Sequence, residues 1–152
     1  MNKYNVIIGI SFAYIWMPTI LEFRQAEIEK VVQILNLAKN GTRPSLSELS
    51  VLKKKFNNLL AGSSKLLHFI NPNLFAIWDS RVYRSLFNLD PYTYRVEDPK
   101  TYMKYLSYFD DISIHRNSDN VHNLVESKVG YTLSKMRSIE IIHFYTGQKE
   151  LQ

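Results

Sequence analysis

The stretch Gly62-Ser63-Ser64-Lys65-Leu66-Leu67-His68-Phe69-Ile70-Asn71-Pro72-Asn73-Leu74-Phe75-Ala76-Ile77-Trp78-Asp79-Ser80-Arg81-Val82-Tyr83-Arg84-Ser85-Leu86 reads as a short apolar helix, a turn, an apolar run and a second helix. Ser63 or Ser64 can cap the first helix, because a serine hydroxyl accepts from backbone N–H groups that a first turn leaves unpaired. Pro72 stops that helix, and Asp79 has the residue type and position of the N-cap of the next. A lysine, Lys65, and a carboxylate, Asp79, are thereby brought to neighbouring helix starts.

Working outward, the chain reads as helix after helix. Tyr4 to Leu21 is strongly apolar behind Lys3. Pro18 inside the run, the lack of a small-x-small cleavage site and a length of about 17 residues favour a buried core helix over a signal peptide or membrane anchor. Within it, Asn5 to Phe12 is the one segment whose pattern also allows a strand. Pro18 can open a second helix running to about Lys39, with Leu21, Ile28, Val32 and Leu35 at helical spacing and Asn40-Gly41 ending it. Ser45-Leu46-Ser47-Glu48 is a capping-box pattern, predicting a helix with Leu49, Leu52, Phe56, Leu59 and Leu60 on one side, closed by Gly62.

After the 62 to 86 stretch, Asp90-Pro91 and Asp98-Pro99 frame a loop carrying Tyr92, Tyr94 and Arg95. Pro99 then opens a helix with Tyr102, Tyr105, Leu106 and Phe109 on its core stripe. Asp110 to Asn120 reads as a polar loop, and a last helix runs from about Tyr131 to Tyr145, ending at Gly147. The expectation is an all-α, compact orthogonal bundle of roughly seven helices forming a single domain over residues 1–152. In it, the 62 to 86 hairpin packs on the closing helix through Leu66, Phe69, Val82, Leu86, Ile139 and Ile142.

Composition narrows the function. The 152 residues are 45% hydrophobic, enough for one sizeable core. No cysteine is present, which excludes a disulfide framework, a cysteine zinc site and thiol catalysis, and permits a reducing, cytoplasmic setting. A formal net charge of +5 suits a polyanionic partner. The four histidines lack metal-ligand spacing with a carboxylate, and no nucleotide-binding glycine pattern occurs, so neither a metal nor another cofactor is expected. Arg81 and Arg84 share a helix face just after Asp79, and Lys53-Lys54-Lys55 precedes the hairpin, which would make a basic rim able to grip a phosphodiester backbone. His68, one turn from Lys65, is placed for DNA contact or proton transfer, or simply for packing. Tyr92 and Tyr94, in a loop, are candidate wedge residues for a duplex.

The 62 to 86 stretch resembles the helix-hairpin-helix DNA glycosylase superfamily, and most closely its bacterial 8-oxoguanine-glycosylase-like branch, in which a Ser-Lys helix precedes a Phe-x-Ile-x-Asp-Ser-x-Val run. Met136 to Phe144 is similar to the closing helix of that branch, and Tyr14 to Thr19 resembles it less specifically. The family hairpin's Gly-x-Gly-x-Lys stands here as Gly62-Ser63-Ser64-Lys65. The resemblance implies a helix-hairpin-helix fold, a duplex DNA partner, and a hairpin at Gly62, Ser63 and Ser64 that meets a DNA phosphate. By it Lys65 matches the Schiff-base lysine of bifunctional members, and Asp79 the essential aspartate. Two other classes stay open. One is a non-catalytic scaffold of this kind that binds DNA or a protein, as in phage defence or counter-defence. The other is a HEPN ribonuclease, since Arg137 and His143 satisfy an Arg-x4-6-His pattern in which histidine is acid or base and arginine steadies phosphate.

Overall fold

The computed structural model describes residues 1–15 and 28–148. Among them every regular element is a helix: α1 (Lys3–Ile15), α2 (Ile28–Lys39), α3 (Leu46–Lys54), α4 (Leu60–Ile70), α5 (Ser80–Phe87), α6 (Thr93–Val96), α7 (Pro99–Ser113), α8 (Ser118–Val129) and α9 (Lys135–Thr146). The all-α expectation holds, with two helices beyond those the sequence suggests. The expected helix start at Pro18 lies outside the described residues.

Asn5 to Phe12, the one segment with a possible strand pattern, is helical within α1. Only one side of α1 is interior: Val6, Ile10, Ala13 and Tyr14 are buried, while Tyr4, Ile8, Phe12 and Ile15 face outward. It packs on α2 and α4, where Gly9 lets Leu66 approach. Leu66 packs on α1, and Phe69 is exposed.

The capping box forms as expected, with Glu48 N–H donating to Ser45 Oγ and Ser45 N–H donating to Glu48 Oε2. The Ser45 backbone bond holds the Glu48 carboxyl below its ordinary range. Helix α3 ends earlier than expected, because Asn57 and Asn58 take left-handed conformations, at φ 52° and 65°, that an α-helix cannot continue through. Leu60 and Gly62 then belong to the first turn of α4. Neither Ser63 nor Ser64 caps it. The Glu97 carboxylate reaches across to accept the Leu60 N–H at 2.5 Å, and burial raises the pKa of that carboxyl.

Pro99 opens α7 as expected, one residue after Asp98, whose side chain accepts from the N–H groups of Lys100 and Thr101. Its Tyr102, Tyr105, Leu106 and Phe109 are core residues. The expected loop at Asp110 to Asn120 is a correction: α7 continues to Ser113 and a short turn leads into α8. Helix α8 buries only Ser118 and Val125, too thin an apolar stripe to stand out in sequence. Polar contacts pin it to α9 and to the turn before it, His122 Nδ1 lying 2.8 Å from Ser138 Oγ and Glu126 accepting the Leu133 N–H. Tyr131 lies outside the last helix, which starts with Ser134 as its N-cap and ends at Gly147.

Candidate active site

The decisive local feature is the link between α4 and α5. Leu74 to Trp78 is non-helical apolar chain inside an all-helical protein, so its backbone groups have no ladder to join. Side chains satisfy them one after another. Arg43 donates to the Leu74 carbonyl, His68 Nδ1 to Phe75, the Tyr102 hydroxyl to Ala76, the Tyr105 hydroxyl to Ile77, and Ser64 Oγ lies 3.3 Å from the Trp78 carbonyl. Arg43 is itself held by a two-pronged pair with Asp110 of α7. Trp78 is fully buried, its ring 4.9 Å from that of Tyr105 and its indole N–H donated to the Val96 carbonyl. The connector thus has one position, and Asp79 at its end inherits that position.

Asp79 is the N-cap of α5 as expected. Its backbone is extended, and Oδ1 accepts from both Arg81 N–H and Val82 N–H at 2.9 Å. Ser64 completes the arrangement from the other side. Its hydroxyl oxygen accepts the Trp78 N–H at 2.9 Å. The residue before Lys65 is therefore bonded to the residue before Asp79, and Lys65 and Asp79 emerge side by side. Burial lowers the Lys65 pKa, opposed by the charges of Asp79 and then of Glu140. A lysine with a lowered pKa holds a larger neutral fraction, the form that acts as a nucleophile.

Glu140, which the motif reading passed over, is the third member. It sits on α9 with 2% exposure, paired with Arg137 one turn earlier. Burial pushes its carboxyl up to about 7, against the pull of Arg137; the Asp79 charge raises it further and Lys65 lowers it. Tyr105 faces the same group, and its hydroxyl is held protonated by burial. The signal was available in sequence: Met136, Ile139, Glu140 and His143 fall on one helical stripe, and a glutamate in an apolar stripe must find a partner or a proton.

The other expected site residues divide. Gly62 is buried in the first turn of α4, and a Cβ there would lie 2.3 Å from Phe56 Cδ1, so packing by itself requires the glycine. Ser63 and Ser64 are fully buried and face the interior. His68 is buried too, donating through Nδ1, and burial lowers its pKa, so the ring is neutral near pH 7. The three lysines do not share a face: Lys53 donates to the Glu97 carbonyl, Lys55 is buried, and Lys54 is exposed. Arg84 donates to the Gly147 carbonyl at 2.7 Å, which ties α5 to the end of α9. Arg81 is exposed, its guanidinium 4.6 Å over the Phe144 ring.

Arg137 and His143 are not brought together. Arg137 turns to Glu140, whereas His143 contacts Ser85 Oγ at 2.9 Å and stacks near Phe109, with its pKa lowered by burial. Tyr92 and Tyr94 lie at the start of α6, both exposed, their rings nearly parallel with Arg95 over each. A groove of about 510 Å³ runs between α7, α8 and α9, walled by Tyr108, Ile112, Val121, Ile139 and Ile142; neither Lys65 nor Asp79 lines it.

Among the described residues no helix is long and apolar enough to cross a membrane, and no three acidic or histidine side chains are grouped to hold a metal ion. No family model, curated protein or solved structure matches the chain.

Proposed function

We propose that the protein acts on DNA as a helix-hairpin-helix-type N-glycosylase, with Lys65 as the amine that attacks the deoxyribose C1′ and Asp79 as the carboxylate that steadies positive charge on the sugar as the base departs. One observation carries this reading: the Ser64–Trp78 hydrogen bonds, which hold a half-buried lysine beside the N-cap carboxylate. An amine nucleophile needs a desolvated site and a transition state with sugar cation character needs a fixed negative charge, and these two groups supply both. Arg81 and Lys54 are the basic side chains of the expected rim that are exposed and able to meet phosphates, so DNA affinity should fall as salt rises.

The test is to incubate the full chain with duplexes carrying 8-oxoguanine, uracil, modified pyrimidines or an abasic site, with and without borohydride. The expected result is base release on one of them and a borohydride-trapped adduct that Lys65→Gln abolishes. Asp79→Asn should remove base release while keeping the fold, since the amide oxygen still caps α5. Wild-type protein that binds duplex DNA yet neither releases a base nor forms an adduct would make the scaffold a binding module.

A further inference from the structure

We infer that Tyr92, Tyr94 and Arg95 form a stacking platform for an unpaired nucleobase of single-stranded DNA. The inference shares the DNA partner of the proposed function, but it needs neither Lys65 nor Asp79 to act as proposed there.

The platform is an aromatic surface turned to solvent. The Tyr92 and Tyr94 rings lie within 6° of parallel, with centroids 6.0 Å apart, and the two residues are 54% and 70% exposed. The Arg95 Cζ atom stands 5.2 Å from one centroid and 5.4 Å from the other, so a single guanidinium is laid against both rings. Large aromatic side chains ordinarily bury most of their area, as Tyr102 and Tyr105 do in this protein. Here two neighbouring rings leave theirs in water and share a cation.

The backbone beneath the rings is fixed. The Tyr92 carbonyl accepts the N–H groups of Arg95 and Val96, and the Thr93 carbonyl accepts that of Glu97. Val96 is buried, and its carbonyl takes the Trp78 indole N–H at 2.8 Å. The platform is thus tied to the residue that precedes Asp79, and its backbone has little freedom left to lose on meeting a ligand.

Its chemistry selects the occupant. In a duplex the bases show only their edges in the grooves, so contact with the face of a tyrosine ring needs an unpaired base. A wedge driven into a duplex needs a protruding side chain, whereas two parallel rings braced by one cation present a face. The charges fit a phosphate chain as well. Arg95 lies against the rings, its Nη1 making a long 3.5 Å bond to the Asp90 carbonyl, and Lys100 is exposed in the first turn of α7. The carboxylates between those two cations are turned to other partners, Glu97 to the Leu60 N–H and Asp98 to the N–H groups of Lys100 and Thr101. A proline-rich peptide also packs on flat aromatic rings, but it brings no anion for Arg95 and Lys100 to meet.

Fluorescence anisotropy of a labelled single-stranded oligothymidylate, titrated with the full chain at several salt concentrations, tests the platform beside a fully paired duplex. Wild type should bind the single strand with an affinity that falls as salt rises. Tyr92→Ala and Tyr94→Ala should each weaken that binding by about tenfold while duplex binding, salt slope and melting temperature stay as in wild type; Tyr94→Phe should restore it, because the ring stacks and the hydroxyl does not. Arg95→Gln should lower the salt slope by about 0.7, the value of one phosphate contact on a single strand. Single-strand affinity unmoved by both alanine changes overturns the inference, and so does an equal loss on single strand and duplex. Tyrosine ring NMR signals that shift with an oligoproline peptide and not with the oligonucleotide would make the surface a peptide site and overturn it too. Lys65→Gln should bind the single strand as wild type does. A protein that binds the single strand through these rings yet releases no base therefore keeps the platform and overturns the glycosylase reading instead.

Discussion

Replacing Glu140 with glutamine should leave the protein much better off at high pH than at low pH, relative to wild type. The carboxyl is 2% exposed and raised to about 7 from its ordinary 4.5. A group whose folded pKa is raised binds its proton more tightly in the folded state, so its stabilising contribution is fully present below the unfolded value and disappears as pH rises through 7. At about 1.36 kcal/mol per unit, a shift of roughly 2.5 units means that wild type loses about 3 kcal/mol from this residue between about pH 4 and pH 8. Glutamine stays uncharged throughout and loses nothing. Glu48 and Asp119, held below the carboxylate range by Ser45 and Lys135, give the opposite slope, but equally in both proteins, so they cancel. Urea unfolding followed by circular dichroism at several pH values reads the difference directly. If the stability difference between the two proteins stays within about 0.5 kcal/mol from acid to alkaline pH, the carboxyl is not raised and the reasoning fails. A difference that moves in favour of wild type as pH rises would mean that the Arg137 pair outweighs burial.

Ser64→Ala leaves the buried Trp78 N–H without its acceptor; it should lower stability by about 1–3 kcal/mol in chemical denaturation and weaken adduct formation by more than the melting curve alone explains. Gly62→Ala forces a Cβ against the Phe56 ring and should cost about 1–3 kcal/mol, while the salt dependence of DNA binding stays as in wild type; a reduced slope would point instead to a phosphate contact at Gly62. Gly147→Ala sets its Cβ 1.8 Å from the Arg81 carbonyl oxygen, backbone that cannot move aside, so it should cost more than Gly62→Ala and raise hydrogen exchange in α5 and α9 before the rest of the protein.

Sequence alone reveals the elements whose causes are local. The Ser45 box, the Asp79 cap and the Pro99 start each depend on residues within one turn, and each forms as read. What sequence does not reveal depends on residues far away. Gly62 reads as a helix stop because glycine usually is one, yet its reason for being glycine is Phe56. Ser63 and Ser64 read as caps because serine commonly caps, yet the true cap of α4 is Glu97, which only the fold brings near. Lys55 reads as part of a basic run, yet it is the C-cap of α3 and is buried.

The candidate site follows the same division. Lys65 and Asp79 are legible because both sit beside local signals, a helix and its neighbour's cap. Their juxtaposition is not, since it depends on a connector whose five consecutive carbonyls, Leu74 to Trp78, are met by side chains from the α2–α3 turn, α4 and α7. Periodicity assigns Tyr102 and Tyr105 to the core, and burial confirms that, but it cannot say that their hydroxyls hold the connector. Glu140 is harder still. A single glutamate in an apolar stripe marks something buried and polar; its bonded partner Arg137 is one turn away on the same helix, but the other groups that act on it, Lys65, Asp79 and Tyr105, are on three other elements. After Asp79, the smaller of the two charges acting on the lysine therefore comes from the helix most distant in sequence, and the closure of α9 on α5 makes it part of the site.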